Sequence, residues 1–278
     1  MKAIKDLTPQ DIERMNYNGL IGIVKETNRP PGGRESIYHI ASRCFLNSKS
    51  KVLEVGTSTG FTAIELAKLT KCRVKAIDIN EVSLKEARRR WRKENIENLV
   101  DFVKADATNI PFKNNYFDLV FCGNVTSIIN DKEKVLGEYM RVTKNAGFIA
   151  AIPMYYIKKP QMSLLKKVSG ALQVDIEPLT KQYWLSFFND SGLELYWTKD
   201  FKFQNQSKGR IEFFLKKILS REHLNKLTKE SKIILDSKYK RFIHLFNENL
   251  SYMGFSIILL RKKASYDEDP SLFTSIAI

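Results

Sequence analysis

Residues 52–60, Val-Leu-Glu-Val-Gly-Thr-Ser-Thr-Gly, set an acid against a glycine turn, with Glu54 two places before Gly56 and Gly60 closing the run. A glycine turn between a strand and a helix lets a ligand approach bare backbone N–H groups. The carboxylate sets the sign of that ligand. It stands where a pyrophosphate would otherwise sit and favours a positively charged group, such as an ammonium. Spacing removes two nucleotide readings. A P-loop needs four residues between its glycines, then Lys and Ser or Thr; three separate Gly56 from Gly60, and Phe61-Thr62 follow. A dinucleotide fingerprint starting at Gly56 would put glycine at 58 and glycine or alanine at 61. Ser58 and Phe61 stand there instead.

Further acids recur at strand ends. Val74–Asp78 is a short apolar strand whose terminal acid lies 22 positions after Gly56, near the separation of about 20 at which a second-strand carboxylate meets ribose hydroxyls. Ile79 follows as an apolar residue placed to stack on a base. Leu99–Ala107 is a strand ending in Ala-Asp-Ala, Tyr116–Phe121 begins a fourth strand, and Glu138–Ile152 reads as a helix, a glycine turn at Gly147 and a fifth strand. This ordered run resembles the class I S-adenosylmethionine-dependent methyltransferases, with Ser58 where that family usually has its middle glycine. The resemblance implies S-adenosyl-L-methionine as cofactor and S-adenosyl-L-homocysteine as product. It places Glu54, Gly56, Thr57, Ser58, Gly60, Asp78, Ile79, Asp106, Ala107 and Asn124 at the cofactor, Asp106 accepting from the adenine amine. Asp118 is implied to be structural, bracing the first turn.

The elements that must position these residues make an α/β fold. The expectation is a doubly wound, mainly parallel seven-stranded sheet with an antiparallel last strand at 254–260. Thr180–Gly192 reads as a helix with a Thr cap and a glycine past its end, and Leu193–Phe203 as a strand. The chain of 278 residues, 43% hydrophobic, suffices for a single domain. Its core is expected over 51–203 and 250–263, with an N-terminal helical cap over 1–50, a helical insertion over 204–249 and a tail over 264–278. The cap holds helical stretches at Thr8–Asp11, Gly19–Thr27 and Glu35–Leu46, with a Pro-Pro-Gly-Gly turn before the last. That turn suits a loop folding over a cofactor, and Arg29, Arg34 and Tyr17 beside it are further cofactor or carboxylate contacts. In the insertion, Ile211, Phe214, Leu215, Ile218 and Leu219 recur at helical spacing, as do Phe242, Leu245 and Phe246. A lid over the acceptor is the expectation, with a dimer contact as the alternative.

The chain carries 46 basic and 31 acidic residues, net +15, a balance that suits polyanions. Residues 1–155 hold 25 and 18 of these, so the excess is spread evenly rather than gathered in an arm. Arg88–Lys93 is the densest basic run and reads as a solvated helix face. No aromatic-basic RNA signature or zinc knuckle is visible, so a nucleic-acid partner is possible but not favoured. Cys44, Cys72 and Cys122 form no paired motif, and His39, His223 and His244 stand apart, so neither a disulfide framework nor a metal site is expected. No run is long enough to span a bilayer and no apolar leader is seen, which makes a cytoplasmic location the expectation.

The chemistry implied is in-line displacement at a sulfonium methyl by an acceptor O, N, S or C. Positioning alone supplies effective molarities of about 10⁵ M or more in good cases. An oxygen acceptor would also need a base. The loop Gly123–Asp131 is the place for one, yet it offers Thr126 and Ser127 rather than histidine. His39, His244, Tyr155 and Tyr156 are the candidate bases elsewhere. Methyl transfer to a small, anionic or aromatic acceptor is the leading reading. The alternatives are an RNA methyltransferase and a non-catalytic S-adenosylmethionine-binding sensor or partner subunit.

Overall fold

The structure is a computed structural model that describes residues 3–263; the expected tail lies outside them. Five parallel strands form the frame: β1 (Lys51–Val55), β2 (Arg73–Asp78), β3 (Val100–Lys104), β4 (Phe117–Cys122) and β5 (Thr143–Ala151). They lie in the order β3-β2-β1-β4-β5, so the strand order reverses beside β1, between β1 and β4. A reversal of this kind leaves a crevice at the carboxyl ends of the strands. The central strands are near-continuous apolar runs, as strands covered on both faces must be. Alternation then sends Val52 to one face and Leu53 and Val55 to the other.

Helices cover both faces. α3 (Gly33–Arg43), α4 (Phe61–Thr70) and α5 (Glu81–Arg92) bury Ile37, Ile40, Leu66 and Leu84 on one side. On the other, α6 (Lys132–Val142) and α8 (Lys181–Asn189) bury Leu136, Tyr139, Trp184 and Phe188. The register at the far edge explains an eighth strand that the sequence reading did not anticipate. β8 (Met253–Arg261) runs antiparallel, with Phe148–Ala151 of β5 opposite Ile258–Arg261. The short β6 (Met154–Tyr156) continues along the same side of β8, opposite Met253–Phe255. β7 (Glu194–Lys202) takes the other side of β8. The sheet therefore has seven ranks, one of them broken at Ile152-Pro153, where proline cannot donate to a ladder.

The N-terminal segment and the 204–249 insertion form one cap with its own apolar cluster. α1 (Pro9–Arg14) and α2 (Tyr17–Val24) contribute Ile12 and Leu20, α9 (Lys208–Leu219) contributes Ile211 and Leu215, and α10 (Lys229–Leu250) contributes Leu235 and Tyr239. Side chains of α10 also hold the N-terminal backbone. Ser231 Oγ donates to the Leu7 carbonyl at 2.8 Å, and the buried Lys238 ammonium donates to the Ile12 carbonyl at 3.1 Å. Burial lowers the Lys238 pKa. α2 begins two residues earlier than expected, because the Asn16 side chain accepts from Gly19 N and caps it. It ends at Lys25, which takes the left-handed conformation at φ +56°. α7 (Met162–Leu172) has no counterpart in the sequence reading, although Leu164, Leu165, Val168 and Ala171 recur at helical spacing and are buried.

Asp118 braces a different place from the one expected. It accepts from Lys51 N at 2.8 Å and from the Lys144 ammonium at 2.6 Å. It thus fixes the amino ends of β1 and β5, opposite the glycine turn.

Candidate active site

The glycine turn is held by β2. Gly56 N and Thr57 N both donate to the Ile77 carbonyl, at 2.9 and 3.0 Å, and Ser58 N donates to Asp78 Oδ2 at 2.8 Å. Gly56, Ser58 and Gly60 have φ of +74°, +48° and +82°. Ser58 therefore keeps the left-handed conformation that a glycine would adopt more readily. The two glycines are also needed for space. A Cβ on Gly56 would lie 1.9 Å from Val125 Cγ2, and one on Gly60 would lie 2.8 Å from Ala87 Cβ.

Glu54 does something the sequence did not indicate. Its side chain is buried, and Oε2 accepts from Thr57 Oγ1 at 2.5 Å and from Ala63 N at 2.9 Å. The acid thus ties the turn to the first turn of α4. Burial pushes its pKa up to about 7, against the pull of bonds from Thr57, Thr62 and Ala63. The charge it offers at neutral pH is therefore partial.

Asp78 and Asp106 stand beyond the next two strands. Asp78 accepts from Ser58 N and, through Oδ1, from Asn80 N at 2.8 Å, and burial raises its pKa. Ile79 N also acts on this carboxylate, which with four acceptor positions keeps capacity for a further donor. Ile79 is 68% exposed, an unusual position for a large apolar side chain at a strand tip. Asp106 accepts from Thr108 N and Oγ1 through Oδ1, at 2.8 and 2.9 Å, and those bonds lower its pKa. Ala107 beside it is buried.

A cavity of about 570 Å³ opens beside the cap; of the expected cofactor residues Tyr17, Arg29 and Asn124 line it, whereas the glycine turn, Asp78, Ile79, Asp106 and Ala107 do not. Asn124, Val125, Ser127 and Ile128 of the loop after β4 form one wall. Tyr17, Asn28 and Arg29 form another, and Met154, Val168, Leu172, Phe246 and Met253 close it with mainly apolar surface. The segment before α3 is fastened to the glycine turn. Asn28 N donates to Thr59 Oγ1 at 3.1 Å, and Thr59 Oγ1 donates to the Glu26 carbonyl at 2.9 Å. Tyr17 and Tyr239 both donate to Glu26 Oε2, at 3.0 and 2.6 Å, which joins this segment to α10. Burial raises the Glu26 pKa. Asn124 Oδ1 accepts from Ser127 Oγ at 2.8 Å and from Met154 N at 2.9 Å, fixing the wall's corner.

Of the candidate bases, the structure brings only Tyr156 to the cavity. Its hydroxyl donates to Asn249 Oδ1 at 2.8 Å, and burial raises its pKa, so it is no base at neutral pH. Tyr155 is buried on the sheet, 3.0 Å from Ser256 Oγ. His39 is held between Arg43 and Lys199, at 3.2 and 3.0 Å, and His244 is exposed on α10; neither lines the cavity. Arg34 is paired with Glu65 through two bonds of 2.7 and 2.9 Å, and both Arg29 and Arg34 lie over the Phe61 ring. Sequence reasoning missed Glu26, Met154, Asn249 and the α7 wall. Of these only α7 had a signal, its apolar periodicity. Among the described residues no group of three or more His, Cys, Asp or Glu is placed to hold a metal, and no helix is long and apolar enough to cross a membrane.

Comparison with known proteins bears on this arrangement. A family model described as a methyltransferase domain matches residues 53–151, from β1 to the end of β5. An uncharacterized protein of Haemophilus influenzae is 29% identical over 182 residues, covering 65% of this chain and 72% of its own. The ubiquinone/menaquinone biosynthesis C-methyltransferase of Coxiella burnetii is 29% identical over 139 residues, which is 49% of this chain and 54% of that enzyme. This chain thus spans about half the length of that named relative. The solved structure of MccD protein superimposes with a TM-score of 0.71 at 26% identity, over 85% of this chain and all of that one. The matched stretch takes in the acid–glycine turn after β1, Asp78 at the end of β2 and Asp106 after β3, and this part of the chain is a methyltransferase domain of the class I S-adenosylmethionine-dependent kind.

Proposed function

We propose that the enzyme transfers a methyl group to a small acceptor with a largely apolar body, held in the cavity beneath the cap. One observation carries this reading: Val125 lines the cavity and also packs directly on Gly56. The acceptor wall and the donor turn therefore touch. When bound, S-adenosylmethionine supplies an electrophilic methyl carbon on its sulfonium.

The residues present fit such a donor. Asp78 keeps free lone pairs for ribose hydroxyls, Ile79 offers exposed apolar surface to an adenine face, and Asp106 Oδ2 is free to accept from an amine. In this reading Thr57, Ser58 and Gly60 offer backbone to the donor, and Asn124 and Tyr17, which line the cavity, border the acceptor. The apolar wall holds the acceptor and excludes water, which is where positioning yields most of its gain.

Glu177 is the one carboxylate among the described residues that line the cavity. Its side chain is 65% exposed, and Lys132 lies 3.8 Å from it. A built-in general base is not supported by this set. An acceptor whose nucleophile is reactive without one, such as an activated carbon, fits better. The likeness to an enzyme named as a C-methyltransferase supports the same choice.

The test is release of S-adenosylhomocysteine by the purified chain, supplied with donor and a panel of apolar aromatic and isoprenoid acceptors beside polar ones. Turnover confined to the apolar set is expected. Leu172→Trp, which fills the cavity, should abolish turnover and leave donor affinity unchanged. Donor binding with no product from any acceptor would overturn the reading, as would turnover that Leu172→Trp does not alter.

A further inference from the structure

A second cavity, about 610 Å³, lies against the 25–34 segment, and Arg29 lines both this cavity and the acceptor cavity. Its surface differs in kind from that of the acceptor cavity. Lys25, Arg29, Arg34, Arg89, Arg90 and Arg221 line it, against the carboxylates of Glu65, Glu94 and Glu222.

The pairing pattern decides what this charge is free to do. Arg34 is taken by Glu65, and Glu94 by Lys68 at 2.6 Å. Arg89 and Arg90 both reach Glu86, at 2.6 and 2.9 Å, a buried acid whose pKa these partners lower against its own burial. The basic run expected to be a solvated face is therefore anchored on one side. Lys25, Arg29 and Arg221 have no carboxylate partner among the described residues.

Arg221 Nη1 donates to the Val24 carbonyl at 2.7 Å and also to the Lys25 carbonyl. Arg90 Nη2 donates to the same Lys25 carbonyl at 2.7 Å. Two guanidinium groups thus converge at the carboxyl end of α2 beside the Lys25 ammonium. Burial lowers the pKa of Lys25 and of Arg221; neighbouring cations lower each further, and Glu86 opposes them in both cases. Like charges held this close are relieved by an anion, and guanidinium forks match phosphate oxygens two at a time.

We propose that this cleft binds a compact anion carrying contiguous phosphate groups, at a site separate from the donor turn and the acceptor cavity. Lys25, Arg29 and Arg221 supply the charge, and Arg89 and Arg90 supply N–H groups turned away from Glu86. Because the 25–34 segment borders both cavities, an occupied cleft restrains the wall of the acceptor site.

Calorimetric titration of the full chain with sodium tripolyphosphate, and separately with ATP, at about 0.15 M salt tests this. Saturable binding of one anion per chain is expected. Equal affinity for both would mark the phosphate chain as the recognised part, and tighter ATP binding would mark a nucleoside ester as the source. The Lys25 side chain makes no hydrogen bond among the described residues, so Lys25→Glu should fold normally and weaken binding about tenfold or more. Lys49→Glu makes the same charge change at an exposed turn and should leave affinity within about twofold. No saturable heat with either anion would overturn the proposal. So would equal losses from the two variants, which would show diffuse attraction to a basic protein, or a preference for long RNA that Lys25→Glu does not change.

Discussion

Glu54 carries its proton about half the time at neutral pH, because burial lifts its pKa from 4.5 to about 7. Its folded value lies above its unfolded one, so between those limits the native state holds a proton that the unfolded chain has released. Stability from this group is present below pH 4.5 and is lost as pH rises to about 7. The full span is worth about 3 kcal/mol. Glu54→Gln should therefore flatten the melting temperature against pH across this window; an unchanged slope would assign the dependence to Asp78 or Glu26. Asp78→Ala should weaken donor binding by about 1–3 kcal/mol, read by calorimetry. Its stability should fall as well, since Ser58 N and Asn80 N lose their acceptor. The position of Asp78 beside the turn was legible because an acid at a fixed distance after a glycine turn is a local pattern. The burial of Glu54 was not, because it depends on how α4 packs.

At the scale of elements, the glycine turn tolerates little. Gly56→Ala combines a left-handed backbone with a Cβ 1.9 Å from Val125. A loss of about 2 kcal/mol or more is expected, seen as a lower unfolding midpoint, together with loss of donor binding. Restoring stability with Val125→Ala in the double variant would locate the clash. The order of β1 to β5 could be read from the sequence, since each strand is a short apolar run with an acid or glycine at its end. The cavity proposed for the acceptor could not. Its walls come from residues near 17–33, 124–128, 154–179 and 246–253, which no periodicity links. α2 was placed two residues late because Gly19 reads as a breaker, whereas the Asn16 cap overrides it. Phe246 of the expected lid stripe does reach the cavity, while Ile211 and Leu215 serve cap packing alone.

Across the whole molecule, Glu26 links the 25–34 segment to α10 through its carboxylate and to the glycine turn through its carbonyl. Tyr239→Phe removes the 2.6 Å bond from α10 to Glu26. It should cost about 1 kcal/mol, and its main signature should be faster hydrogen exchange in α10 and the 25–34 segment rather than across the sheet. Uniform loss of protection would mean that cap and sheet open together. The net charge of +15 was plain from composition, but the sorting of cations into paired and unpaired sets was not, because it depends on which acids are buried beside them.

The placement of β8 bears on how the protein is made. Met253–Arg261 sits between β5–β6 and β7, although every strand it touches is synthesised before it. While the polypeptide is emerging from the ribosome, two strand edges must wait unpaired, with a slot between them that only a later segment fills. Slower translation of residues 203–252 would lengthen that wait, and it is then that holdase chaperones would have most to shield.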